Sequence, residues 1–200
     1  DTGSTLRDEA IKARDHGNPE LAERAINRER QANKIFVLLL RLIFTAYQNP
    51  NLARAVGLES GFPLIGYRSV AKNLELTADY AEDVARICLD AEGNELAVDA
   101  TTRNRIHELT DRVDEITATA VASVVDRDYD LAIEVRKLFD RITDAEREIL
   151  ADLPEMSNDE LLRVREVLVG LGQTSQYAAR NAEIAANLAL NEESDHLTIA

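Results

Sequence analysis

A twenty-residue segment of this chain occurs twice, and this internal repeat constrains the fold more than any other feature. Residues 68–87 recur as residues 165–184, 97 positions later, with eight identities and no gap. The identical pairs are Arg68/Arg165, Val70/Val167, Leu74/Leu171, Thr77/Thr174, Tyr80/Tyr177, Ala81/Ala178, Ala85/Ala182 and Ile87/Ile184. Solenoid repeats are about 20 to 50 residues long, whereas about 100 residues is the size of a small domain. The spacing therefore predicts a duplicated helical domain.

Helical signals lie on both sides of one central linker, residues 91–99. Before it, the pattern predicts helices over Leu6–His16, from Pro19 to about Gln48 and from about Gly66 to Asp90. Between the last two we expect a loop over Asn49–Leu64 with room for one short turn of helix. After it, apolar residues at three- and four-residue steps predict helices over Ile106–Ala120 and Leu131–Ile149, and a capping box at Ser157–Glu160 opens a last helix to about Asn191. No stretch of the sequence alternates as a strand does.

These elements predict an all-α fold with six helices. Each apolar stripe needs a partner, and short connections make neighbouring helices antiparallel. We therefore expect two tandem three-helix bundles, at residues 1–92 and 100–193, followed by a frayed polar tail at residues 194–200.

Composition excludes several classes of function. The formal net charge of −14 argues against direct nucleic-acid binding and against binding to anionic membranes by this segment. The longest apolar run, residues 35–47, is too short to insert across a bilayer. The single cysteine, Cys88, excludes an internal disulfide and fits a reducing, cytoplasmic compartment. Because the sequence starts without Met, we expect a trimmed fragment whose upstream portion is missing.

Acidic side chains form a ladder on the first copy of the repeat. Glu75, Asp79 and Asp83 are spaced by four residues, so their carboxylates lie about one helical pitch apart on one face. Hard cations prefer such oxygen ligands. The same sector of the helix also carries Lys72, Glu82 and Arg86. A metal site and a solvated, ion-paired surface are therefore both open from the spacing.

Catalytic motifs are scarce. The chain has neither a nucleophile elbow nor a glycine-rich phosphate loop, and its one Glu-x-x-His element, Glu193 to His196, lacks the second element that di-iron bundles need. We therefore expect that the protein is not an enzyme.

Residues 74–86 resemble the PhoU family, whose third helix carries a pattern close to L-E-R-x-x-D-H-A-x-N-I-A. The matching residues are Leu74, Glu75, Asp79, Ala81 and Ala85, whereas Tyr80, Asp83 and Val84 replace the usual His, Asn and Ile. Residues 49–60 and 67–75 resemble the loop and helix entry of archaeal members. Residues 19–35 resemble the family's second helix, in which an acidic pair falls on Glu29 and Asn33.

The resemblance implies two paired three-helix bundles and a candidate metal site in the first one. Carried over residue by residue, the ligands would be Glu29, Asn33, Glu75, Asp79 and Asp83. A transition-metal cluster of iron, manganese or zinc, a magnesium ion and no metal at all remain open. The corresponding second-half positions include Phe139, Thr143, Gly172 and Gln176, which cannot assemble such a site.

The resemblance also implies a function in phosphate signalling. PhoU proteins are negative regulators of phosphate uptake that couple a phosphate transporter to a sensor kinase. We expect a cytoplasmic helical adaptor that binds the transporter ATPase or the kinase, with a homodimer left open. Archaeal relatives often carry an amino-terminal DNA-binding domain, so the chain fits the regulatory part of a transcriptional regulator. The alternatives are a carboxylate-rich metal store or metalloenzyme, and a structural bundle without a signalling role.

Overall fold

A computed structural model of the chain describes residues 19–55, 62–90 and 98–197. These ranges contain six helices and no strand, which confirms the all-α prediction. The helices are α1 (Pro19–Gln48), α2 (Pro50–Ala55), α3 (Phe62–Asp90), α4 (Ala100–Asp126), α5 (Tyr129–Ala151) and α6 (Asn158–Leu197). The helix predicted over Leu6–His16 and most of the linker lie outside the described residues, so the division into two domains stays a prediction.

Side-chain caps set the starts of the second-half helices. The Asp99 carboxylate accepts a hydrogen bond from the Thr102 amide at 2.6 Å, which starts α4 and holds the pKa of Asp99 below its ordinary value. Asp128 caps α5 in the same way. The predicted capping box before α6 is confirmed: the Glu160 amide donates to Ser157 Oγ at 3.3 Å, and the Ser157 amide donates to Glu160 Oε2 at 3.0 Å.

Two boundaries differ from the prediction. Helix α2 is a short helix of six residues within the segment expected to be a loop with a turn of helix, and its start is capped by the side-chain oxygen of Asn49. Helix α3 begins at Phe62, earlier than expected, because a proline such as Pro63 is compatible with the first turn of a helix. Helix α6 continues to Leu197, since neither glycine nor proline interrupts it after Asn191. Residues 194–197 are therefore helical, and residues 198–200 lie outside the described part.

The helices pack in two sets that meet along the repeated segments. Helices α4, α5 and α6 contact one another pairwise and form a three-helix bundle, whereas α1 packs against α3 and α2. The two copies of the repeat, on α3 and α6, contact each other and join the sets. The core is continuous across this junction, because Ala25 and Ala85 of the first half belong to the same apolar cluster as Ile142 and Leu168 of the second.

Helices α3 and α6 run antiparallel about a local twofold axis. Asn73 of α3 donates a hydrogen bond to Asn181 of α6 at 2.8 Å. Val84 of α3 lies opposite Gly170 of α6. Residue numbers therefore rise along one helix as they fall along the other. Adding the repeat spacing of 97 to 73 and 84 gives 170 and 181, so each contact pair maps onto the other. The repeat thus relates the two halves by a twofold rotation.

The repeated tyrosines contact each other across this axis. The rings of Tyr80 and Tyr177 are tilted by 30° with centroids 6.2 Å apart, which is an ordinary aromatic contact. Because the repeat maps each tyrosine onto the other, this pair is its own symmetry mate. The shared residues of the repeat therefore stabilise the junction between the halves.

Candidate functional site

Four carboxylates gather where α1 meets α3. Ala32 of α1 packs against the small side chains Ala78 and Ala81 of α3, which lets the two helices approach closely. One turn earlier on α1, Glu29 is buried, with 7% of its surface exposed. Three acidic residues of α3 act on it electrostatically. We call this set the acidic cluster: Glu29, Glu75, Asp79 and Glu82.

Burial and mutual repulsion favour the protonated form of two members. Burial is the main cause that raises the pKa of Glu29 above its ordinary value; Glu82 and Asp79 raise it further, and Arg30 opposes them. Burial likewise raises the pKa of Asp79, with Glu75 adding to the effect. Glu29 and Asp79 therefore hold their protons to a higher pH than isolated carboxylates do.

Two basic residues of α3 neutralise part of the acidic cluster. Lys72 pairs with Glu75, and its ammonium group also lies 5.6 Å from the ring centroid of Phe36 on α1. Arg86 lies one helical turn after Glu82, and its Nε donates a hydrogen bond to the Glu82 carboxylate at 3.1 Å. These two pairs match the ion-paired helix surface, which was the alternative to a metal site in the sequence analysis.

The structure brings together three of the five predicted site residues. Glu29, Glu75 and Asp79 belong to the acidic cluster, whereas the side chains of Asn33 and Asp83 are exposed. Glu82 was not among the predicted ligands. Its position could have been recognised from the sequence, since residue 82 lies seven positions after Glu75 and therefore on the same helix face.

Within residues 19–55, 62–90 and 98–197, no three His, Cys, Asp or Glu side chains are placed to hold a metal ion together. Lys72 and Arg86 form ion pairs with Glu75 and Glu82, two of the carboxylates that a cation would need as ligands. Metal binding by the five predicted residues stays a prediction.

The corresponding place in the second half holds one carboxylate. Glu146 of α5 lies against Gly172 of α6, the counterpart of Glu75, and a Cβ added at Gly172 would lie 2.7 Å from Glu146 Oε2. Burial raises the pKa of Glu146, and Arg147 opposes this effect. The missing side chain at position 172 thus makes room for an acid from the neighbouring helix.

Comparison with known proteins finds a domain match in the first half of the chain and a similar fold over nearly all of it. The family model of the PhoU domain matches residues 2–88. The crystal structure of PhoU from Pseudomonas aeruginosa superposes with a TM-score of 0.78 at 16% identity, covering 95% of this chain and 91% of that one. The crystal structure of the phosphate transport system regulatory protein PhoU from Streptococcus pneumoniae gives 0.65 at 17%, covering 93% and 87%.

No curated protein matches the chain in sequence. At the low identities of the two crystal structures, they show that both halves together adopt the PhoU fold. The match of the family model confirms the resemblance that residues 74–86 carry.

Proposed function

We propose that this chain, which carries a PhoU domain at residues 2–88, regulates phosphate uptake as a cytoplasmic helical adaptor. The match of the PhoU domain is the observation that carries the proposal. The PhoU fold over 95% of the chain supports it, as does the description of the Streptococcus pneumoniae relative as a regulatory protein of a phosphate transport system.

The proposed partner is the ATPase of a phosphate transporter or a sensor kinase. An adaptor acts by binding, and a rigid bundle that presents the faces of long helices suits that role. None of the described helices is long and apolar enough to cross a membrane. The protein would therefore act on a membrane transporter through protein contacts.

Phosphate uptake in cells tests the proposal. Deleting the gene should raise the uptake of radiolabelled phosphate in phosphate-replete medium, because a negative regulator is lost, and the full-length gene should restore it. Uptake that is the same with and without the gene would contradict the proposal.

A pair of matched variants tests whether the acidic cluster takes part. Glu29→Gln with Asp79→Asn removes two of its charges, and Asp140→Asn with Asp144→Asn removes two exposed charges spaced by four residues on α5. If the acidic cluster contributes to regulation, only the first double variant fails to restore normal uptake. Elemental analysis of the same proteins for iron, manganese, zinc and magnesium measures the predicted metal binding directly.

The alternative of a metal store or metalloenzyme has less support. The family match points to a regulator, and the basic residues paired with the acidic cluster neutralise two of its carboxylates. Stoichiometric metal in the native protein that disappears in the Glu29→Gln, Asp79→Asn variant would revive this alternative.

A further inference from the structure

Helices α3 and α6 share an exposed surface around the local twofold axis. Tyr80 and Tyr177 meet there and are partly exposed. Asp83 lies three positions after Tyr80, and Arg180 lies three positions after Tyr177, so each charge neighbours a tyrosine on its own helix. The guanidinium carbon of Arg180 is 5.3 Å from the ring centroid of Tyr177. Because residues 83 and 180 are equivalent in the repeat, the two halves present opposite charges at the same place.

This surface faces away from the side of α3 on which a helix over residues 6–16 is expected. Helices α4 and α5 cover the side of α6 that carries Ala178, and the repeat predicts the same cover for Ala81 of α3. Arg180 and Asp83 each lie two positions after these alanines, and two residues turn a helix by about 200°. Both charges therefore point away from the core side. The segments on either side of α3 that the structure does not describe join the helix at its ends, whereas Asp83 lies well inside it.

One end of this surface is basic. Asn73 and Asn181 mark this end by their hydrogen bond, and the residues immediately before them are Lys72 and Arg180. The Lys72 side chain is 44% exposed although it pairs with Glu75, and Arg180 is exposed as well. Two positive charges therefore lie side by side on α3 and α6.

The other end is acidic. Val84 lies against Gly170 there; Asp83 immediately precedes Val84, and Glu166 lies one helical turn before Gly170. Asp83 and Glu166 are both exposed. Eleven residues, or about three turns, separate Lys72 from Asp83, so these two share one side of α3 with the ends about 16 Å apart. We call the two tyrosines and the four charged residues the axial face: Lys72, Tyr80, Asp83, Glu166, Tyr177 and Arg180.

The charges of the axial face are largely unused. In the described part of the chain, Asp83, Glu166 and Arg180 form no ion pair. Val169 lies between Glu166 and the contact of Gly170, and it is 50% exposed. The axial face thus combines unpaired charge of both signs with exposed apolar and aromatic surface, which is a composition suited to a protein interface.

We propose that the axial face binds a second copy of this chain, turned end for end, in a twofold-symmetric dimer. A twofold axis that lies in the face and crosses α3 and α6 sets the basic end of each copy on the acidic end of the other. The tyrosine pairs of the two copies then meet at the centre of the interface. This inference goes beyond the proposed function and does not depend on it.

Charge favours this occupant over the others. The two basic and two acidic residues of the axial face sum to zero, so an anionic membrane gains no attraction from it. A second copy that is not turned end for end would place like charges together, which is unfavourable. A different protein would need the same division of charge over the same distance, which a second copy already carries.

Two variants of opposite charge test the proposal in the full 200-residue chain. The basic variant, Asp83→Lys with Glu166→Lys, makes the charges of the axial face all positive. The acidic variant, Lys72→Gln with Arg180→Glu, makes them all negative. In sedimentation velocity over a range of concentrations the wild type should dimerise, and the Kd of each variant's dimer should be at least about tenfold higher, because like charges meet.

Mixing the two variants is the sharper test. With one variant fluorescently labelled, an equimolar mixture should form a mixed dimer at least as tight as that of the wild type, because an all-positive face then meets an all-negative one. A general loss of folding or solubility could not be repaired in this way.

A matched control separates the axial face from overall charge. Asp140→Lys with Asp144→Lys, at exposed residues of α5, changes the net charge as the basic variant does and should leave the Kd unchanged. Circular dichroism checks that every variant folds. Since Lys72 pairs with Glu75, the acidic variant also disturbs the acidic cluster; the basic variant changes none of its residues, so it decides the question even if the acidic variant does not fold.

Three results would overturn the proposal: a wild-type chain that is still monomeric at about 1 mM, a basic variant that dimerises as the control does, or two folded variants that stay monomeric when mixed. If the wild type is monomeric and the basic variant fails to restore phosphate uptake in cells, the axial face serves a different protein and the proposal is also wrong. Sedimentation uses the purified chain alone, so its outcome and that of the phosphate-uptake experiment are judged separately.

Discussion

The two halves of this molecule place different chemistry on the same packing. In the first half, α1 and α3 gather the four carboxylates of the acidic cluster. In the second, α5 and α6 hold one, Glu146, over the space that Gly172 leaves. The residues that the repeat shares are mostly those that pack, such as Ala85/Ala182 at the core and Tyr80/Tyr177 at the axis. Duplication thus kept the contacts and released the polar positions to diverge.

The junction between α3 and α6 shows the same divergence at closer range. On one side of the local axis Asn73 and Asn181 form a hydrogen bond, and at the equivalent place on the other side Gly170 meets Val84. The junction is therefore stabilised by a polar contact on one side of the axis and by an apolar contact at the equivalent place on the other side. Variants that alter a polar contact or a charge in one half, and leave the other half unchanged, test this comparison.

The largest effect on the free energy of unfolding is expected at the junction between α3 and α6. Asn181 is 2% exposed, and Asn181→Val removes the acceptor of the Asn73 amide group, which leaves a donor unpaired in a partly buried place. The free energy of unfolding should fall by about 2 kcal/mol. Urea denaturation measures this. Adding Asn73→Gly recreates the pair of valine and glycine found on the other side, and because the unpaired donor is removed the double variant should recover at least half of the loss. A double variant as unstable as Asn181→Val would show that the two sides are not interchangeable.

A smaller effect is expected at Gly172. Replacing a helical glycine with alanine stabilises a helix by about 1 kcal/mol, but here the new Cβ displaces the carboxylate of Glu146. We expect Gly172→Ala alone to gain less than about 0.5 kcal/mol, and to gain the full amount in a Glu146→Ala background. Thermal unfolding of the four proteins of this cycle measures the coupling. Equal gains in both backgrounds would show that Glu146 does not rest on Gly172.

The smallest effect is expected at Glu29, and it depends on pH. The pKa of Glu29 in the folded protein lies above its ordinary value of 4.5, so between the two values the folded state binds more protons than the unfolded state. Stability therefore falls as pH rises through this window. Glu29→Gln removes the unfavourable charge and should add about 0.5 kcal/mol at pH 7 and nothing near pH 4.

Glu146→Gln is the matched control for the pH experiment. Burial raises the pKa of Glu146 too and Arg147 opposes that effect, but no acidic neighbour adds to it, so Glu146→Gln reports on burial without the repulsion that acts at Glu29. Melting temperatures at both pH values measure the comparison. A loss of stability in Glu29→Gln at pH 7 would mean that the Glu29 carboxylate is stabilised, contrary to the repulsion described above.

Much of the fold followed from local signals in the sequence. The bounds of α1 were predicted from Pro19 in the first turn and from Pro50 just beyond the end, and Ser157 marked the start of α6. The acidic cluster was predicted in part. Glu75 and Asp79 share a face by spacing alone, whereas Glu82, on the same sector of the helix, was not among the predicted ligands.

By itself, the sequence determined the helices, their caps and the duplication, because these depend on residues within a few turns of each other or on direct comparison of two segments. Only the tertiary structure decided which polar groups are buried together. Glu29 and Asp79 are 50 positions apart in the chain, and their shared environment arises from the antiparallel packing of α1 on α3. The exposure of Leu38 and Leu42 on α1 was decided in the same way, since an apolar pattern shows that a helix side can be buried but not whether a neighbour covers it.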